Sequence, residues 1–203
     1  PFRMIGMTDR KLHMIKNAVL EMLRSRKAKT GETVEFSWFW FRSCGTDAEL
    51  DVETLDFQKM ASFTSEFDVV ERIHAEQMEV LAQAGVDALR CTLMHYGRVD
   101  TYYEPGDPET YMSRISDASE DFSGWVVGVR SQGLPLNGLR SFDRMSLYEI
   151  SIRDKRLLPY WLLPQGWSVV FEDDEPLVVR PGESGRYFVT DDSPAPRWWE
   201  FWR

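Results

Sequence analysis

Residues 112–175, MSRISDASEDFSGWVVGVRSQGLPLNGLRSFDRMSLYEISIRDKRLLPYWLLPQGWSVVFEDDE, are broken by turn signals at short intervals. A Ser-Gly-Trp motif leads into a loop rich in Gly and Pro, then a Leu-rich helical stretch, then a Pro-Gln-Gly-Trp turn. Gly and Pro in such positions punctuate regular structure, so this stretch can build only short elements. The helical stretch runs about 144–162, but Pro159 lies inside it. Proline removes a backbone donor and clashes with the preceding turn, so two short helices or a kink fit better than one long helix. Strands read at 124–130, 167–172, 176–180 and 186–190.

The N-terminal half is patterned differently. Residues 8–28 read as a helix, with Thr8 as N-cap and Leu12, Ile15, Val19 and Met22 at helical spacing. Lys and Arg crowd its far end, where they complement the helix dipole, and Gly31 ends it. Residues 33–42, TVEFSWFWFR, read as one strand with Phe36, Trp38 and Trp40 on one face and Phe39 and Phe41 on the other. A strand apolar on both faces belongs inside a sheet. Residues 50–58 read as a second strand with an acidic outer face, and 65–84 as a helix with Ser65 and Asp68 at its start and Gly85 as its stop. Phe67, Val70, His74, Met78 and Leu81 would form its inner face. Strands at 88–96 and 98–104 would meet at Gly97, and PGDP at 105–108 breaks the chain.

These elements predict an α+β fold with mixed, mostly antiparallel sheets flanked by a few helices. A soft boundary falls near 105–112, dividing an N-terminal α+β region (1–108) from a second α+β domain (109–203). A single continuous domain fits nearly as well.

Of the 203 residues, 43% are hydrophobic and 13% aromatic, with eight Trp, so the core should be built from large rings. Twenty-four basic against 33 acidic residues leave a formal charge of −9. That balance argues against nucleic-acid binding, which rests on neutralising phosphates. It suits a cationic partner, and it also simply favours solubility. No apolar run reaches membrane-spanning length, and the opening PFRMIGMTDRK has no long apolar region. The expected compartment is the cytoplasm, with no membrane partner. Nothing in the sequence fixes an oligomeric state.

The search for catalytic chemistry finds little. Cys44 and Cys91 define no disulfide framework or metal knuckle, although a bridge between them stays open. His13, His74 and His95 lack the spacing of a zinc site. Cys91 and His95 would share one face of a strand, too far apart for a nucleophile–base pair. There is no Gly-x-Ser-x-Gly elbow, Walker loop or Gly-x-Gly-x-x-Gly. No catalytic residue, cofactor or metal is therefore assigned. EDDE at 172–175 reads as a solvated hairpin tip. The tail RWWEFWR at 197–203 is costly to expose, so it docks on the domain or on a partner.

The order of pieces after Arg114 resembles the Imm33-like immunity domains. Arg114, Asp117, Glu120 and Asp121 precede Ser123-Gly124-Trp125. Gly128, SLYEI at 146–150, LLPYWLLPQGW at 157–167 and VVFED at 169–173 then follow in the family's order. Ile115 and Ser116 stand where better-known members carry acidic residues beside the arginine. The resemblance covers the C-terminal half. It implies an immunity protein that binds and neutralises a cognate bacterial toxin or secreted effector, needs no catalysis, and meets a basic toxin surface with acidic or aromatic groups. The partner-binding residues it suggests are Asp117, Glu120 and Asp121 before the Ser-Gly-Trp motif, and Glu172, Asp173 and Asp174 at the hairpin tip. Trp125 is expected in the core. Two alternatives stay open: a small cytoplasmic enzyme with a site between the halves, around the Trp38/Trp40 face, or an adaptor domain.

Overall fold

One aromatic-rich hairpin and one bulged strand organise the chain. The structure, a computed structural model, describes residues 14–46, 49–115, 121–130, 141–172 and 175–182. Its elements are α1 (Met14–Ser25), β1 (Thr33–Phe36), β2 (Phe39–Gly45), β3 (Leu50–Leu55), β4 (Phe63–Thr64), α2 (Asp68–Ala84), β5 (Tyr96–Asp100), β6 (Thr110–Arg114), β7 (Phe122–Val129), β8 (Phe142–Ser146), α3 (Leu147–Arg153), a 3₁₀ helix (Lys155–Tyr160), β9 (Ser168–Glu172) and β10 (Glu175–Val179). The first sheet is antiparallel in the order β1-β2-β3-β4, and the second is mixed in the order β10-β9-β6-β7-β5-β8. The α+β expectation holds.

Helix α1 buries Ile15, Val19, Leu20 and Leu23. It stops earlier than expected, at Lys27 rather than Gly31. Lys27 takes φ 52°, and the Ala28 amide reaches back to the Leu23 carbonyl, the left-handed stop that satisfies the last carbonyls. Thr8 and Leu12 lie outside the described residues. Gly85 ends α2 in the same way, with φ 69°. The start of α2 differs: Phe67 is the N-cap and no side chain caps it. Its inner face is also turned by about one residue. Val70, Ile73, Gln77 and Leu81 are buried, while Met78 is exposed.

The stretch 33–42 is a hairpin and not one strand. Phe36 pairs with Phe39 across Ser37 and Trp38. Ser37 supplies the positive φ (60°) that such a two-residue turn requires, and Trp38 swings fully into the core. β2 is interior, as anticipated, with Phe39 and Phe41 inward. Between α2 and β5, residues 86–95 form no strand. Two strands unread in the sequence, β6 and β8, complete the mixed sheet. The helical stretch is two short helices, as expected, but they divide at Asp154, and Pro159 lies inside the 3₁₀ helix.

One buried cluster runs from Ile15 through Phe57, Val70 and Leu93 to Trp125, Leu163 and Phe171. Gln77 of α2 donates to the Leu158 carbonyl at 3.0 Å, and the Tyr148 hydroxyl of α3 donates to the Asp56 carbonyl at 2.8 Å. The core is therefore continuous across position 108, and β5 lies inside a sheet whose other strands all follow that point.

Ser37 and Trp38 should respond to substitution with opposite signs. Ser37→Gly relieves a left-handed backbone and should stabilise by up to about 1 kcal/mol after the added glycine entropy. Trp38→Ala should cost about 3–5 kcal/mol through the cavity it leaves. Urea denaturation of both variants measures these changes.

Candidate functional site

The Ser-Gly-Trp motif is a β-bulge. β5 and β7 run parallel, with Tyr96 opposite Phe122 but Arg98 opposite Val126, so β7 carries extra residues between them. Gly124 supplies φ 84° there. The Ser123 hydroxyl donates to the Tyr96 carbonyl at 2.9 Å and accepts from the Trp125 amide at 3.2 Å. Trp125 is thereby driven into the core, as expected, where it meets Trp161 edge-on.

Arg114, at the end of β6, is buried with only 2% of its surface exposed. Its Nε donates to the Ser123 carbonyl at 3.0 Å, and its Nη1 is shared among the carbonyls of Leu89, Trp161 and Leu163 at 3.1, 3.2 and 2.7 Å. Loss of water lowers its pKa from the ordinary value. The Trp161 carbonyl also accepts from Trp125 Nε1 (3.0 Å) and the Cys91 thiol (3.2 Å). The Arg114 backbone pins the Pro164–Trp167 turn, donating to the Trp167 carbonyl and accepting from the Gly166 amide. One residue thus ties β6, β7, the 86–95 segment and the 161–167 turn together.

That geometry disposes of Cys91 as a nucleophile. Burial pushes its thiol up to about 11, far from the thiolate range of reactive cysteines. Cys44 is likewise free, so no bridge joins them. His95 lies in the 86–95 loop and not on a strand beside Cys91. The Trp38/Trp40 face offers no cleft: Trp38 is buried, and half-buried Trp40 donates to Thr92 Oγ1 at 3.0 Å. Among the described residues no group of His, Cys, Asp and Glu is placed to hold a metal ion. Among the same residues, no helix is long and apolar enough to cross a membrane.

Of the acidic residues suggested by the sequence, Asp121 and Glu172 are described, and they fall at opposite ends of the mixed sheet. Asp121 is exposed just before β7, its carbonyl accepting from the Tyr96 amide at 2.9 Å. Glu172 ends β9 beside the far end of β7. The eight residues of β7 separate these ends by about 23 Å at the rise of a strand. Asp117, Glu120, Asp173 and Asp174 lie outside the described residues, as does the 197–203 tail. Glu172 is already paired, with Arg130 across the strand ends.

The Glu172 end gathers further carboxylates that the sequence reading passed over. Asp100, Glu104, Asp107 and Glu109 come from the VDTYYEPGDPE run, and Asp143 from β8. The loop carrying them is fixed by buried Asp154. Its carboxylate accepts from the Tyr103 hydroxyl (2.7 Å), the Gly106 amide (3.0 Å) and Arg156 (2.6 Å). Burial opposes the Asp154 charge, but these donors win and hold its pKa below the usual carboxylate range. Burial and the adjacent carboxylate push Tyr103 up. A cavity of about 100 Å³ opens here, between the sheet end and α3. It is smaller than the roughly 300–1,000 Å³ of sites that enclose a small-molecule ligand.

Residues 76–180 match the family model of the Imm33-like domain. The chain belongs to the Imm33-like domain family. No curated protein and no solved structure matches it. The matched span starts within α2 and takes in the 86–95 segment, every strand of the mixed sheet, α3 and the 3₁₀ helix. The Imm33-like domain is thus the mixed sheet with the helical layer that Arg114 secures. The antiparallel sheet lies outside the match.

Two predictions follow from these networks. Arg114→Met leaves a set of buried carbonyls without donors and should cost on the order of 3 kcal/mol or more. Arg114→Lys should recover little of that, because one ammonium cannot span the same carbonyls. Equilibrium denaturation reads both. For Asp154 the folded pKa is depressed, so its stabilisation is complete above the unfolded carboxylate pKa of about 4 and fades as pH falls below it. For Tyr103 the folded pKa is raised, so its contribution fades as pH rises above about 10. The stability gap between wild type and Asp154→Asn should therefore be flat at neutral pH and shrink below about pH 4.

Proposed function

We propose that this chain is an immunity protein that binds a cognate bacterial toxin or secreted effector in the cytoplasm and neutralises it without catalysing a reaction. The observation that carries this reading is its membership in the Imm33-like domain family. Three physical features support it. The small cavity suits a side chain better than a substrate. The buried Arg114 and Asp154 networks give a stiff scaffold, which lowers the ordering cost of tight binding. The −9 charge and the acidic sheet end suit a partner with a basic surface, and they disfavour nucleic acid.

The Glu172 end is the better placed of the two acidic ends. Its exposed carboxylates, Glu104, Asp143 and Glu172, come from the 101–109 loop, β8 and β9 at the same end of the sheet. Asp121 lies at the other end, too distant to share one small epitope with Glu172. Arg130 offsets Glu172 in the free chain, so a toxin cation must compete with it.

Co-expression with the product of an adjacent toxin reading frame tests this function. Survival of the host and co-purification of a stable complex are expected. The association rate should fall steeply as ionic strength rises, because opposite surface charges steer the encounter. Continued toxicity with no co-purification counts against the reading.

A further inference from the structure

We infer that the cavity at the acidic sheet end is a socket for one arginine side chain presented by a basic protein partner. This inference rests on the binding reading above and deepens it. The lining includes apolar Val99, Met145 and Ile150, together with the exposed carboxylate of Asp143 and the buried one of Asp100. An arginine combines an aliphatic stem with a planar cation, and this pocket offers the complement of each. Its volume of about 100 Å³ is that of roughly three waters, room for the end of one side chain and no more.

The rim is prearranged. The Tyr102 amide donates to Asp100 Oδ1 at 3.0 Å, and the Tyr103 amide to the Asp100 carbonyl at 2.9 Å. The Tyr103 hydroxyl is locked on Asp154 at 2.7 Å, which fixes its ring as one wall. Tyr102, between the lining residues Thr101 and Tyr103, is 55% exposed, a large aromatic left in water. Exposed tyrosines of this kind are over-represented among residues that dominate protein interfaces, and arginine is their frequent counterpart. Glu104 and Asp143 are exposed and have no ion-pair partner among the described residues, so both can pair with an incoming cation. Arg153 also lines the cavity and is exposed; it is the like charge that the incoming side chain must displace.

The test uses the isotope-labelled full chain and follows amide shifts during titration with N-acetyl-arginine amide. Neutral N-acetyl-norleucine amide is the control. Saturable millimolar shifts at Thr101, Tyr103 and Asp143 are expected with the arginine probe alone, and they should weaken with salt. Asp143→Asn should weaken binding by on the order of threefold, and Arg153→Ala should tighten it by a similar factor. Both positions are exposed, so neither variant should disturb folding. Equal shifts with the norleucine probe, or no change in affinity in either variant, overturn the socket. In parallel, Tyr102→Ala and Asp143→Lys should each weaken the complex with the adjacent toxin product at least about tenfold, as loss of a hot-spot contact does. A toxin that binds both variants at full strength overturns the socket but leaves the immunity reading intact. Arginine capture by a chain that fails to bind any such toxin supports the socket and removes the immunity reading.

Discussion

The Arg114 guanidinium is the interaction on which the rest of the domain depends. A buried cation is costly unless its donors find acceptors, and here Nε and Nη1 donate to four carbonyls from three separate segments. That requirement places the 86–95 loop, the Ser-Gly-Trp bulge and the 161–167 turn at one point in space. The Trp161 carbonyl repeats the logic from the other side, gathering Arg114, Trp125 and Cys91. A conventional apolar core tolerates sliding of one element on another. A set of directional bonds to a single charged group does not.

That rigidity has a functional consequence at the opposite end of the sheet. Strands β5 to β9 leave the Arg114 knot in fixed register and end among the carboxylates of the 100–109 loop, β8 and Glu172. Asp154 fixes that loop much as Arg114 fixes the other end, through several charge-assisted bonds to one buried group. The domain therefore has structure-holding polar chemistry at its centre and exposed charge at its rim. On the proposed reading, the first lets the second meet a partner without reordering.

Much of this was legible in the sequence where local chemistry decides the outcome. Pro159 had to keep its stretch from forming one long helix, Gly85 had to end α2, and Trp125 after Ser-Gly had to turn inward. The order of motifs around Arg114 was enough to suggest the family. Elsewhere local patterns misled. The run TVEFSWFWFR looks like one strand because its apolar residues are continuous. Only the positive φ at Ser37, in a residue that does not advertise it, makes it a hairpin. The apolar LRCTLMHY segment was read as a strand, but its burial comes from Arg114 and Trp161 rather than from a sheet ladder. The acidic residues before the Ser-Gly-Trp motif and at the EDDE tip looked equivalent. The topology puts Asp121 and Glu172 at opposite ends of the mixed sheet. The carboxylates of 100–109 were hidden by the PGDP breaker, which made the run look like a plain loop.

The central claim is that the acidic end of the mixed sheet is the partner-binding surface of a stiff immunity domain. Hydrogen–deuterium exchange of the full chain, alone and with the adjacent toxin product, tests it most directly. The account predicts new protection concentrated in residues 100–109 and 142–146, with the slow exchange around Arg114 and Trp125 unchanged. Protection confined to the antiparallel sheet or to the segment around Asp121, with residues 100–109 exchanging as in the free chain, would contradict it.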